Sequence, residues 1–328
     1  MAFQCFRFTL LILALQAAGY PAAAATLHYR DKLGRSLVIE TPVKRAVVFE
    51  TYELLPAIHG FDRVVGLGSY ALKDGLIKAA SPEIINAIPS VGTVWNLNIE
   101  ALLKVKPDLV ITFRNSNENA IKFMERKGLK VLVIYPESLS ELYEVMRLEG
   151  KLFAKEREVE AVIRKMEAMF GLIRNRVAQI PKNNRKRALN LMMNPTMIAG
   201  RKGITQELLD LAGVINCADS AQNFPEVSLE RIIAWNPDIL YFVWYARYSA
   251  ADLLNNPQWR FVKAIQQRSV YRIPNGSTWS PRIAGTAFWM AASAYPDNFK
   301  DLDVERTIDQ FYRDVYGVPY TSIRQYEE

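Results

Sequence analysis

Tyr52, Tyr70, Trp95, Arg114, Trp244, Tyr245, Trp279 and Arg282 are the side chains here best suited to hold another molecule. They come just after the short apolar runs that read as strands, and ligands of open parallel sheets bind beyond the carboxyl ends of strands. Aromatic faces with a few cations suit a large, flat or oxygen-rich anion, held by stacking, cation–π contact and charge-assisted hydrogen bonds. Trp95 and Trp279 stand out because each lies among Gly, Asn, Ser or Thr, away from any periodic apolar stretch. Arg282 follows Ser280-Pro281 and opens the helical pattern Ile283 to Ala294. There it would present a two-pronged guanidinium beside a helix N-terminus, a fit for a carboxylate, catecholate or oxyanion. Arg114 follows the same logic.

Catalysis is poorly served. An exported α/β hydrolase is the rival reading from another class, but it needs a nucleophile, a base and an oxyanion hole, and there is no Gly-x-Ser-x-Gly elbow. The two histidines, His28 and His59, fall in a hairpin and at a helix end, where a structural role is expected. No Asp or Glu pair is expected just beyond the strand ends, and no glycine-rich phosphate loop appears. No catalytic residue and no protein metal ligand is therefore assigned. Any metal would arrive already chelated, as cargo rather than as a cofactor. Two cysteines, Cys5 and Cys217, exclude a disulfide scaffold and a cysteine-rich zinc site. The net charge of +7 over 328 residues is spread along the chain, and the basic run Lys182 to Arg187 lacks interleaved aromatics. No nucleic-acid partner is expected.

The N-terminus addresses the compartment. Arg7 precedes the apolar run Phe8 to Leu15, then come Gly19, Pro21 and Ala22 to Ala25. These are the three regions of a secretory signal peptide spanning 1–25, too short to anchor the chain in a membrane. Cys5 precedes the apolar run, so no lipid-bearing cysteine follows it. The expectation is a cleaved, unlipidated, exported protein.

The rest of the chain must position the aromatic residues. Thr26 to Arg30 and Ser36 to Glu40 flank Asp31-Lys32-Leu33-Gly34-Arg35 and read as a hairpin. Buried strands are expected at 46–49, 64–67, 108–111, 131–134, 188–193, 239–243 and 270–273, alternating with helical patterns. That alternation predicts parallel sheets covered by helices. From Lys155 to about Gln179 apolar residues recur at helical spacing without proline, and another helix is expected over 304–316. Asn98 to Ile111 also matches Ser228 to Tyr241, with a capping residue, Glu two positions on, and Pro-Asp before a strand at equal spacing. The match implies two related lobes. The expected organisation is a leader at 1–25, an α/β lobe at 26–154, a linker helix at 155–180 and a second α/β lobe at 181–328. The fold class is α/β, with two Rossmann-like lobes, one long helix between them and a cleft where they face.

Several stretches in this order carry a resemblance: Asp31 to Arg35, Lys44 to Val48, Asn98 to Ile111, Phe224 to Glu230, Asn236-Pro237-Asp238 and Ser280-Pro281-Arg282. Together they resemble the helical-linker (class III) periplasmic substrate-binding proteins of ABC importers. Trp95 to Arg114 and Asn194 to Gly203 are similar to its cobalamin-binding branch. The resemblance implies a protein, expected as a monomer, that carries a small metal chelate to a permease dimer in the inner membrane. A ferric siderophore or other iron chelate is the first expectation for that cargo. Cobalamin, haem, and molybdate or tungstate stay open. It also implies that Glu100 and Glu230, in equivalent places in the repeat, dock onto the two permease subunits.

Overall fold

The computed structural model describes residues 25–114, 118–220 and 222–327. The leader expected over 1–25 falls, but for Ala25, outside the described residues.

The chain opens with an antiparallel hairpin of β1 (Ala25–Arg30) and β2 (Ser36–Thr41). Its turn forms because Asp31 accepts from the backbone N–H of Leu33 at 3.0 Å and of Arg35 at 3.1 Å, while Gly34 takes φ +77°. Lys32 N–H then donates to Val133 O at 3.0 Å and fastens the hairpin to the first lobe.

Two four-stranded sheets follow, parallel throughout. The first contains β3 (Ala46–Val48), β4 (Val64–Leu67), β5 (Leu109–Phe113) and β6 (Val131–Ile134), in the order β4-β3-β5-β6. The second contains β7 (Arg187–Leu191), β8 (Ile215–Asn216), β9 (Ile239–Phe242) and β10 (Val270–Arg272), in the order β10-β9-β7-β8. Their residues are almost all buried, as strands covered on both faces must be. The two-residue β8 escaped the sequence reading, because a strand that short has no detectable period.

The repeat is structural as well as sequential. Asn98 caps the helix Ile99–Lys104 by accepting from Ala101 N–H at 3.0 Å, and Ser228 caps Leu229–Trp235 by accepting from Arg231 N–H at 3.3 Å. Lys106 and Asn236 both turn the chain at positive φ, 44° and 47°, before the shared proline. The next aspartate then ties each unit to its lobe's first strand. Asp108 accepts from Lys44 N–H at 2.8 Å, and Asp238 accepts from Arg187 N–H at 2.8 Å.

The lobes are joined by the helix Glu156–Val177. Val159, Val162, Ile163, Met166, Met169, Phe170, Ile173 and Val177 form its buried face, and at ~1.5 Å per residue it is ~33 Å long. It shares one apolar core with Leu54, Ile58 and Leu76 of the first lobe and with the helix Arg282–Ala294 of the second. The helix Val304–Tyr316 falls where the periodicity placed it, capped by Asp303. A last helix, Tyr320–Arg324, crosses back onto the first-lobe helix Gly75–Ala80. Contact there is tight: a Cβ on Gly75 would lie 3.1 Å from Ile323 O and 2.9 Å from Glu327 Cγ. The lobes are thus fused along one side by linker helix, shared core and C-terminal segment.

Candidate functional site

In each sheet the strand order reverses beside the first strand, between β3 and β5 and between β7 and β9. The crevice beyond the carboxyl ends of such a strand pair is where doubly wound sheets bind ligands. Phe49, Glu50, Thr51 and Tyr52 leave β3 at this point, beside Phe113 and Arg114 leaving β5. Phe49 N–H donates to Ile111 O at 3.0 Å, so pairing runs to the crevice edge and Glu50 lies just past it. In the second lobe, Trp244 and Tyr245 leave β9.

Two aromatic contacts draw the lobes together, and a third extends them within the first lobe. Trp279, from the loop after β10, meets Tyr135 at 5.0 Å and Phe113 at 6.0 Å between ring centroids. Phe113 in turn meets Trp95 at 6.3 Å, all three edge-to-face. Trp95 remains 58% exposed. Trp244 and Tyr245 form a second edge-to-face pair at 5.2 Å and are also exposed. Behind Trp244 is a cavity of about 520 Å³ reaching Asn275, Trp289 and Tyr320. Tyr70 and Arg114 are exposed at the ends of their strands. The sequence reading passed over Phe113, whose place as the last residue of a strand was the signal for it.

The Trp95 loop depends on one glycine. Gly92 takes φ +86°, and a Cβ there would lie 2.4 Å from Asn96 O and 2.5 Å from Asn98 N. Gly92→Ala should therefore force apart the turn that presents Trp95 and disturb the Asn98 cap. The expected loss is about 1–3 kcal/mol in urea denaturation, with altered tryptophan emission. An unchanged midpoint with unchanged emission would show that the turn relaxes freely.

Arg282 is the main correction. It does not present a fork to the cleft: its side chain is fully buried at the start of its helix. Its Nη2 donates to Glu327 Oε1 at 2.6 Å and to the carbonyl of Asn275, and its Nε donates to the Tyr312 hydroxyl at 3.2 Å. Nη1 lies 3.5 Å from Glu53 Oε1 and 3.8 Å from Asp74 Oδ1. Burial opposes the guanidinium charge, but Tyr312, Glu53, Glu327 and Asp74 outweigh it and raise its pKa. Glu53 also accepts Ser277 N–H at 3.2 and 3.1 Å, so this node ties the second-lobe loop to the first lobe.

The second correction concerns acids at strand ends. Glu50 and Glu53 both follow β3, where no acidic pair was expected. One guanidinium sits among the three carboxylates of Glu53, Asp74 and Glu327, and burial pushes Glu53 up to about 7 despite Arg282. Burial also pushes Glu50 up to about 8, with Glu53 adding to it, and Glu149 up to about 8. The Tyr52 hydroxyl is raised well above its ordinary value by burial and then by Glu53, Asp74 and Glu50. It is therefore a neutral phenol, not a phenolate. His28 and His59 are exposed, and among the described residues no three His, Cys, Asp or Glu side chains are grouped to hold a metal ion. No helix among the described residues is long and apolar enough to cross a membrane.

The comparisons with known proteins agree with this architecture. The chain is 25% identical to the molybdate-binding protein MolA of Haemophilus influenzae, over 95% of its own length and 97% of that protein's. It is 25% identical to the Fe(3+) dicitrate-binding periplasmic protein FecB of Escherichia coli, over 85% of this chain and 90% of that one. Among solved structures, Helicobacter pylori CeuE in a nickel–histidine complex superposes with TM-score 0.80 at 25% identity, covering 92% of this chain and 99% of that one. The profile described as "Periplasmic binding protein" matches residues 48–276. With two α/β lobes and a long linker helix, this chain belongs to the periplasmic binding protein family.

Proposed function

We propose that this protein captures a ferric chelate, an oxygen-rich anionic iron complex, in the periplasm and delivers it to an ABC importer. The observation that carries the reading is the aromatic array Trp95–Phe113–Trp279–Tyr135 at the switch point of the first sheet. Aromatic walls of this extent suit a complex with organic ligand surface better than a bare ion. With no grouping of protein ligands for a free metal among the described residues, the iron would come with its own chelator. The similarity to the Fe(3+) dicitrate-binding protein supports the same cargo class.

A second reading is a tetrahedral oxyanion, favoured by the similarity to the molybdate-binding protein across nearly the whole chain. Protein purified from its own periplasm separates the two by visible absorption and native mass spectrometry. A ligand-to-metal charge-transfer band with an iron-chelate mass is expected. A colourless molybdate or tungstate adduct would overturn the iron reading in favour of the oxyanion. A Soret or corrin spectrum would replace both.

The transport partner in this reading is a permease dimer, met by Glu100 on one lobe and Glu230 on the other. Both are exposed in the first turns of equivalent helices. Two related lobes presenting like charges suit a twofold partner.

A further inference from the structure

Glu50 occupies an unusual position. It is the first residue beyond the β3–β5 pairing, at the reversal of strand order, and only part of its surface is exposed. Among the described residues no hydrogen bond or cation holds its carboxyl. The next residue, Thr51, is β-branched yet lies in the left-handed region at φ 63°, a costly conformation for this residue type. It is kept there because its hydroxyl bonds to the Glu50 carbonyl and to the buried carboxyl of Glu149. The chain thus turns sharply immediately after Glu50, and Glu50 takes no part in the ion pairs of Arg282.

Electrostatics then decides what that side chain is. The charge acting on it is that of Glu53, and Tyr52 beside it is a neutral phenol. The nearby buried cation, Arg282, is already shared by Glu53, Asp74 and Glu327. A largely desolvated carboxyl beside a second carboxyl, without a cation of its own, favours its neutral form.

We propose that Glu50 meets the cargo as a neutral carboxylic acid, donating a hydrogen bond to an oxygen of an anionic ligand and thereby selecting oxygen-rich anions. This rests on the reading that the cargo is such an anion. In that role the proton supplies a donor where an ionised carboxylate would repel the ligand. The raised value near 8 agrees with it. The sign follows: binding is strongest below that value and weakens as pH rises through it.

The test titrates wild type and Glu50→Gln with ferric citrate and with molybdate by calorimetry, between about pH 6 and about pH 9.5. Wild-type affinity for the probe that binds should fall about 10- to 100-fold across that range. Glu50→Gln, which keeps a donor but cannot ionise, should stay within about threefold of the low-pH affinity throughout. A variant whose pH profile runs parallel to wild type overturns the proposal. Infrared difference spectra of the unliganded protein add a readout that needs no ligand. A protonated-carboxyl stretch present at neutral pH should lose one component in Glu50→Gln. If wild type binds neither probe, the anionic-cargo reading fails, and the infrared band decides Glu50 alone. Survival of every component in Glu50→Gln overturns the proposal; loss of one upholds the neutral carboxyl.

Discussion

Arg282→Ala is expected to destabilise the protein by about 3–5 kcal/mol, the usual cost of removing one partner from a buried ionic cluster. The guanidinium is fully buried, and it faces Glu53 and Asp74 from the first lobe and Glu327 from the C-terminal segment. Without it, three carboxylates share a dry site with no cation, and a cavity opens against Tyr312. The three segments it joins are also those that hold the lobes together, so the C-terminal helix should loosen from the Gly75–Ala80 helix. Urea denaturation reads the first effect, and amide hydrogen exchange at 320–327 reads the second. Arg282→Lys keeps a charge but not the planar fork and should lose less. A variant of wild-type stability with abolished ligand binding would return Arg282 to the cleft.

The second large effect concerns delivery. Glu100→Ala combined with Glu230→Ala should leave ligand affinity within about twofold of wild type and cut uptake through the cognate importer by roughly tenfold or more. Both side chains are exposed, and neither lies in the aromatic cluster. The Glu230 carboxyl is held below the usual carboxylate range by its own backbone N–H and by Ser228, which keeps it ionised. Such rim charges orient an encounter more than they stabilise a fold. Transport by vesicles carrying the importer is the measurement. Wild-type rates with the double variant would leave both glutamates as helix-dipole partners only.

Much of the architecture was legible before any coordinates, and each legible part had a local cause. The apolar face of Glu156–Val177 repeats every three to four residues, so the helix could be read residue by residue. The Asn98 and Ser228 caps were readable because a cap needs only a side chain and an N–H three residues on. The Pro-Asp units implied two related lobes, since both copies carry the same turn and the same tie to a first strand. Trp95, Trp279, Trp244 and Tyr245, named from the strand-end rule, stand in aromatic pairs.

Arg282 shows where that reasoning stops. A charged residue after Ser-Pro at a helix start has the local signature of a surface fork, and nothing within ten residues reveals its partners. Glu53, Asp74 and Glu327 reach it from three distant segments, and only packing made it a buried strut. Glu50 follows the same principle. Its sequence neighbours mark the end of a strand, but its neutral form depends on how far burial removes water and on Arg282 being engaged elsewhere. Periodicity, capping and turn chemistry act over a few residues, so the sequence by itself determined the elements, the repeat and the strand-end positions. Desolvation and long-range charge pairing act through space, so only the tertiary structure decided which of those side chains stay exposed and which hold the lobes together.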